Sequence, residues 1–240
     1  MFAGPNGSGK STLKSVLRPE LIGIYLNPDD IEQKLSLHGF LDLHLYGVTT
    51  TAEKLAAFFS KSSFLASVGL AEVAGQIGLD KGRLTLASQK VNSYLASAAA
   101  DFIRTQLLQQ KTSFTLETVM SHESKVDLLK QAQQAGFRTY LYFVATEDPA
   151  INISRVRNRV RLGGHDVPDD KIETRYHRSL DLLMDAIRHT NRAYIFDNSG
   201  NNHDRTWIAE ITDGSEIEMK ANQIPAWFKR AVIDKARGKP

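Results

Sequence analysis

Apolar and polar positions follow one another along the chain in a pattern that predicts short buried strands separated by amphipathic helices. The strongest strand signal is the run 139–145, which is rich in aromatic and β-branched residues. Helical spacing of apolar residues marks 149–162 and the segment that opens at Pro168–Asp169. Further strand candidates are 22–26, 113–118 and 193–197. Strands that alternate with helices predict an α/β fold with a central, mostly parallel sheet flanked by helices.

Two segments depart from this alternation. Residues 32–112 are too many for one crossover between strands, and their polar, Ala- and Ser-rich sequence predicts a helical insertion that forms a cap. Residues 207–219 predict a C-terminal β-hairpin that turns at Asp213–Gly214. We therefore expect a single domain, residues 1–240, that carries the insertion within it.

Composition narrows the class of protein. Apolar residues make up 42% of the 240 positions and charged residues 24%, which is typical of a globular protein. The net charge is +3, and residues 151–178, with seven basic and four acidic side chains, account for all of it. Because the positive charge is local, a general nucleic-acid or membrane binder is not indicated.

The absence of cysteine excludes disulfides and thiolate nucleophiles. The chain has no apolar run near 18 residues and opens directly on a glycine-rich loop, so we expect neither a membrane span nor a signal peptide. A cytoplasmic protein is the resulting expectation.

The segment Gly4-x4-Gly9-Lys10-Ser11 fits the phosphate-loop pattern, with flanking sequence that predicts a strand before it and a helix after it. Glycines let the backbone N–H groups turn towards phosphate oxygens, Lys10 can reach the β- and γ-phosphates, and the Ser11 hydroxyl can ligate Mg²⁺. A glycine-rich turn that only caps a helix is the alternative. The motif predicts ATP and Mg²⁺ as cofactors, bound by Gly4, Asn6, Gly7, Ser8, Gly9, Lys10, Ser11 and Thr12.

Two carboxylates follow predicted strands, where ligands bind in open α/β sheets. Asp29, in the pair Asp29–Asp30, can accept the proton of a hydroxyl that attacks the γ-phosphate. The alternative is local: Asn27 or Asp29 caps the next helix, with Glu32 completing a capping box. Glu117 can orient the acceptor or its base, or can pair with an arginine as part of the structure.

Four arginines occupy one predicted helix that ends at Gly163–Gly164. Helical periodicity places Arg155 and Arg159 on one face and Arg157 and Arg161 on another, and does not distinguish which pair meets the nucleotide. Arginines can neutralise the charge of a transferring phosphoryl group, so the helix is a candidate hinged lid. A solvated basic face is the alternative.

The remaining polar candidates are weaker. His165 can contact phosphate or pack in its loop, and His122 lies near a helix start for which Ser121 is the candidate cap. Asp197 and Asn198 end a late strand and can lie near the base or ribose, although turn chemistry explains them equally well. No histidine pair has metal-ligand spacing, so the one metal expected is the Mg²⁺ of the nucleotide.

These motifs, in this order, resemble the zeta toxin family of phosphate-loop kinases. The resemblance covers about residues 2–30 and 112–200, roughly half of the chain. The matching stretches are Ala3–Thr12, Leu26–Ile31, Leu116–Thr118, Arg155–Pro168 and Tyr194–Asp197. Members of the family transfer the γ-phosphate of ATP to a substrate hydroxyl, which in known toxins is on the sugar of UDP-N-acetylglucosamine. The chain departs from the founding toxins at Gly163–His165, where they carry another arginine, and in its longer insertion.

The resemblance implies a role for each matching residue: Lys10 as the loop lysine, Asp29 as the catalytic base, Glu117 as the strand-end glutamate, and Arg155 and Arg159 as the lid arginines. It also implies a small-molecule hydroxyl acceptor and an antitoxin-like protein partner. We therefore expect an ATP- and Mg²⁺-dependent kinase. Two alternatives stay open: a nucleic-acid kinase or NTPase, and a non-catalytic nucleotide-binding module that holds a partner through residues 32–112.

Overall fold

The structure is a computed structural model that describes residues 1–86, 91–164, 166–200 and 205–238. The chain divides into two compact units, the first formed by residues 1–19 and 117–240 and the second by residues 20–116. The expected insertion, 32–112, lies wholly within the second unit. In the described part of the chain, no helix is long and apolar enough to cross a membrane.

Strands and helices alternate along most of the chain. The strands are β1 (Phe2–Ala3), β2 (Ile24–Leu26), β3 (Phe40–Asp42), β4 (Ile77–Asp80), β5 (Arg83–Leu86), β6 (Phe114–Thr118), β7 (Tyr140–Ala145), β8 (Arg192–Asp197), β9 (Thr206–Thr212) and β10 (Glu216–Met219). The α-helices are α1 (Pro19–Ile22), α2 (Pro28–His38), α3 (Ala52–Ser60), α4 (Ser63–Ser67), α5 (Ala71–Ala74), α6 (Ser93–Gln109), α7 (Ser124–Gln134), α8 (Pro149–Arg161), α9 (Asp169–Asp181), α10 (Leu183–Arg188) and α11 (Ala226–Phe228). Lys10–Val16 and Leu43–Tyr46 form 3-10 helices, and Lys229–Asp234 is a π-helix.

The main sheet has seven strands in the order β10-β9-β8-β7-β1-β6-β2. Parallel pairing joins β1 to β6 and β7, β7 to β8, and β2 to β6, whereas β9 and β10 are antiparallel. The sequence-based expectation of an α/β fold with a central, mostly parallel sheet is therefore confirmed. The C-terminal hairpin also turns where predicted, because Asp213 and Gly214 both adopt positive φ, 46° and 72°.

The core of the first unit forms around β7 and β8. Leu141, Phe143, Val144 and Ala145 of β7 are all fully buried, as expected for a strand covered on both faces. Helical spacing predicts an apolar stripe of Ile172, Tyr176, Leu180, Leu183 and Ile187 along α9 and α10. The last four residues pack into the same core, whereas Ile172 packs with Val156 and Val167. Trp227 and Phe228 of α11 complete this core. The site described below is thus built on a rigidly packed strand layer.

The second unit is only partly helical. Its strands β3, β5 and β4 form a separate antiparallel sheet in that order, and α2 packs against α6. The start of β6 pairs with β2 in the same unit, in the register Ile24↔Phe114. The helical interpretation of residues 32–112 is therefore incomplete, because it misses three short strands.

Two local expectations need correction. The sequence predicts a helix from the glycine-rich loop to about Arg18, whereas the structure has a 3-10 helix that ends at Val16. Thr12 Oγ1 donates to the Gly9 carbonyl, a local bond that suits such a tight turn, and Pro19 disfavours helix at Arg18. Likewise α7 begins at Ser124, and the His122 ring, not Ser121, accepts from the first amide through Nδ1.

Candidate functional site

The glycine-rich loop follows β1, and its backbone has a shape that glycine permits. Gly4, Gly7 and Gly9 have φ of 140°, 73° and 95°. A side chain at Gly7 would be disfavoured for two reasons. The positive φ is strained for any residue with a Cβ atom, and that Cβ atom would lie 2.5 Å from the carbonyl oxygen of Asn152. The motif therefore combines a left-handed backbone with a close approach to α8.

Two asparagines from distant parts of the chain hold this loop. Asn152 of α8 is fully buried; its amide nitrogen donates to the Asn6 carbonyl and its Oδ1 accepts from Thr146. Asn198, directly after β8, donates from its side chain to the Ser8 carbonyl at 2.8 Å. Two carbonyl oxygens of the loop, those of Asn6 and Ser8, are thus held by side chains from outside the loop, which fixes its shape.

Lys10 and Ser8 provide the polar interior of the loop. Lys10 is 8% exposed, and its ammonium donates to the Pro5 carbonyl at 2.9 Å, which curls the lysine back over the loop. The Ser8 side chain is fully buried, and among the described residues its hydroxyl has no hydrogen-bond partner. A buried hydroxyl donor and a buried ammonium inside a glycine cradle suit the oxygens of a polyphosphate. The residues present fit ATP.

Ser11 and Glu117 meet at the end of the loop. The Ser11 hydroxyl donates to Glu117 Oε1 at 3.1 Å, and Glu117, near the carboxyl end of β6, is 8% exposed. A hydroxyl beside a carboxylate is a pair of hard oxygen donors, the type that Mg²⁺ prefers. Within the described ranges no group of three or more His, Asp or Glu side chains is placed to hold a metal ion. The donor set therefore fits a magnesium ion that also takes oxygens from a nucleotide.

Asp29 lies in the second unit, in the first turn of α2. Asn27 is the N-cap: its side chain accepts from the Asp29 amide at 3.0 Å, and Pro28 opens the helix. The local alternative thus holds for Asn27, not for Asp29. The Asp29 carboxylate is exposed. Its role as catalytic base stays a prediction.

The arginines of α8 have different surroundings. Arg155 donates to the carbonyls of Asn198 and Gly200, at 2.7 and 2.8 Å, and so braces the segment after β8. Arg157 forms an ion pair with Asp169 of α9. Arg159 and Arg161 are exposed, and the Arg159 carbonyl accepts from Gly164 at 3.0 Å as the helix ends.

The contact of Asn152 with the loop decides which arginine face is turned towards it. At about 100° per residue, Arg155 and Arg159 lie within roughly 60° of Asn152 around the helix, whereas Arg157 and Arg161 lie about 140–180° away. Periodicity alone left this choice open. The face that carries Arg155 and Arg159 is therefore the face that contacts the phosphate loop.

Several contacts near the loop carry no signal in the sequence. Arg205, at the start of β9, donates to the Thr12 hydroxyl. Asp197 accepts from the indole N–H of buried Trp227 at 2.7 Å and from the Ser199 hydroxyl at 2.7 Å. Its carboxylate therefore forms structural hydrogen bonds within the protein. The Arg205–Thr12 and Trp227–Asp197 contacts join residues 193 and 30 positions apart, and no sequence motif indicates them. His165 lies outside the described residues.

Comparison with known sequences gives one partial match. No family model matches the chain. A segment of 69 residues is 30% identical to an uncharacterized protein of Haemophilus influenzae, over 29% of this chain and 49% of that protein. The chain thus spans about half the length of this relative.

Solved structures of the AvrRxo1-ORF1:AvrRxo1-ORF2 complex are also similar. The form with sulphate ions and the form with ATP both give a TM-score of 0.55, at 15% and 16% identity. The native complex gives 0.52 at 13% identity. In each case the match covers 91% of this chain and 60% of the other. At this identity the likeness shows the fold alone: the chain shares the α/β architecture of these structures.

Proposed function

We propose that the protein is an ATP- and Mg²⁺-dependent kinase that phosphorylates a hydroxyl group of a small molecule. The observation that carries this proposal is the joint geometry of the loop and its neighbours: buried Lys10 within the glycine cradle, with Ser11 hydrogen-bonded to Glu117. The similar fold of a structure that contains ATP supports the choice of nucleotide.

Each residue has a defined task in this proposal. The loop amides, the Ser8 hydroxyl and the Lys10 ammonium bind and orient the phosphate groups, while Ser11 and Glu117 hold the metal ion. Bound MgATP would supply the transferable γ-phosphoryl group. Arg159, on the face of α8 that contacts the loop, provides positive charge where phosphoryl transfer develops negative charge. Asp29 removes the proton of the acceptor hydroxyl.

The acceptor and the partner rest on resemblance. The zeta-toxin-like motifs suggest a UDP-activated amino sugar such as UDP-N-acetylglucosamine as the acceptor. The similar structures each contain two different chains, AvrRxo1-ORF1 and AvrRxo1-ORF2, which supports a protein partner for this chain as well.

The test is a screen for ADP release from MgATP with UDP-sugars, nucleosides, small sugars and short nucleic acids as acceptors. Lys10→Ala serves as the blank. Asp29→Asn is compared with Asp30→Asn, since the two residues are adjacent, both exposed and equal in charge. We expect release that depends on a small hydroxyl acceptor, lost in Asp29→Asn and kept in Asp30→Asn, with ATP binding retained in both.

Different outcomes separate the alternatives. Turnover that occurs only with short nucleic acids, together with salt-sensitive binding of them, would identify a nucleic-acid kinase. ATP binding without turnover on any acceptor would identify a nucleotide-binding module. Equal turnover in Asp29→Asn and wild type would remove Asp29 from the mechanism while leaving the kinase assignment intact.

A further inference from the structure

Arg205 is a cation beside the phosphate loop to which the proposed function gives no task. It directly precedes β9, and its Nη2 donates to the hydroxyl of Thr12, the residue that follows the loop motif. Its Nε is buried, and in the described ranges it has no hydrogen-bond partner. The Arg205 guanidinium is therefore held through Nη2, whereas the hydrogen-bonding capacity of its Nε is unused among the described residues.

Among the described residues, Arg205 also has no counter-charge, because no carboxylate there forms an ion pair with it. Burial lowers the pKa of the guanidinium below its ordinary range. A partly buried cation without a counter-charge costs free energy, and proteins retain such groups where an anion binds.

The position of Arg205 indicates which anion. Lysine of the loop motif reaches the β- and γ-phosphates, whereas the loop amides hold the α- and β-phosphates. The 3-10 helix starts at Lys10, and Thr12 lies two residues further along, within its first turn. A cation bound to the Thr12 hydroxyl is therefore placed at the first turn of this helix, whereas the Lys10 ammonium turns back to the Pro5 carbonyl.

We propose that Arg205 is a nucleotide-binding residue that contacts the α- and β-phosphates of a nucleoside di- or triphosphate held by the loop. The inference rests on the proposed function for the identity of the ligand. A guanidinium presents several N–H donors in a planar fork and can bind a phosphate while keeping its bond to Thr12. Because ATP and ADP share these phosphates, Arg205 strengthens the binding of both.

The experiment is direct calorimetric titration of ATP and of ADP into wild type, Arg205→Gln and Arg205→Lys. Arg138→Gln is the control, since Arg138 is exposed and precedes β7 at the end of the strand opposite the loop. We expect Arg205→Gln to weaken ATP and ADP binding by the same factor, about ten- to a hundredfold, and Arg205→Lys to restore part of the loss. Lys10→Ala weakens ATP more than ADP.

A second measurement separates binding from structure. Removing a partly buried cation that has no ion pair among the described residues should leave the ligand-free melting temperature of Arg205→Gln unchanged or raised. Unchanged nucleotide affinity in Arg205→Gln overturns the inference, as does a loss of affinity accompanied by a lower ligand-free melting temperature and no rescue by lysine. Wild type that binds ATP but transfers no phosphate would defeat the kinase proposal alone, whereas wild type that binds no nucleotide would defeat both.

Discussion

The side-chain amide of Asn198 donates a hydrogen bond to the carbonyl oxygen of Ser8, across 190 positions of sequence and 2.8 Å of space. Asn198 is itself held, because Arg155 donates to its carbonyl at 2.7 Å. A Cβ atom at Gly9 would lie 2.5 Å from the Asn198 amide nitrogen, so the loop and the segment after β8 pack closely. The shape of the phosphate loop therefore depends on a residue that belongs to no phosphate-loop motif.

Asn198→Asp should weaken ATP binding by about tenfold. The substitution removes the amide donor, places a carboxylate against the Ser8 carbonyl and adds negative charge beside a site for phosphate. Titration calorimetry with ATP measures the effect. Asn158→Asp is the control, because Asn158 is exposed on α8 and the substitution adds the same charge. Equal affinities for the two variants would show that the Asn198–Ser8 bond has no part in nucleotide binding.

Gly7→Ala should abolish ATP binding, and Gly136→Ala should not. Both glycines have positive φ, 73° and 85°, so each substitution costs about 1 kcal/mol of stability from backbone strain. Only at Gly7 would the new Cβ atom meet another group, the Asn152 carbonyl at 2.5 Å; at Gly136 nothing lies within 4 Å. Urea unfolding measures the common strain, and calorimetry measures the difference in ATP affinity. Retained ATP binding in Gly7→Ala would contradict the close packing of the loop on α8.

The sequence predicts the parts of this molecule that local chemistry determines. The glycine loop, the buried strand β7 and the Asp213–Gly214 turn each depend on residues within a few positions of one another, and all were predictable. The strands β4 and β5 were not, because each has only four residues and they meet at a Lys81–Gly82 turn that lacks the usual Asn-Gly or Asp-Gly signal.

Long-range contacts account for what the sequence does not show at the site. Asn152 meets Asn6 across 146 positions, and Arg205 meets Thr12 across 193. Neither residue type is unusual in its own segment, so no pattern marks it. The choice between the two arginine faces of α8 likewise needed the Asn152 contact, since periodicity groups the arginines without orienting them.

Tyr142 should make the protein less stable as the pH rises above about 10. Its ring stacks on Tyr194 at 4.7 Å, and burial, followed by the neighbouring Tyr194, raises its pKa from 10.0 to about 12. Between about pH 10 and 12 the Tyr142 phenol of the unfolded chain loses its proton, whereas that of the folded chain keeps it. The free energy of unfolding is therefore highest below pH 10 and declines as the pH rises to the pKa of the folded state. The measurement is the urea midpoint between about pH 9 and 12.

Tyr142→Phe should show a smaller decline of the urea midpoint than wild type over the same range. Tyr140→Phe is the control, because Tyr140 is on the same strand but 37% exposed. Other groups titrate in this window, so the informative quantity is the difference between each variant and wild type. Parallel curves for Tyr142→Phe and wild type would mean that the Tyr142 phenol titrates alike in the folded and unfolded states.

Arg159→Gln should lower kcat for acceptor-dependent ADP release by at least about a hundredfold, whereas Arg161→Gln should change it little. Both arginines are exposed on α8 and both substitutions remove one positive charge. They differ in direction: Arg159 lies two helical turns from Asn152 on the face that contacts the loop, and Arg161 lies on the opposite face. A cation on the loop face can stabilise charge that develops on the transferring phosphoryl group, and such contacts contribute mainly in the transition state.

Titration with ATP should therefore give similar affinities for the two variants while their turnover differs. Equal turnover of the two variants would show that net charge on α8, and not the position of Arg159, determines the rate.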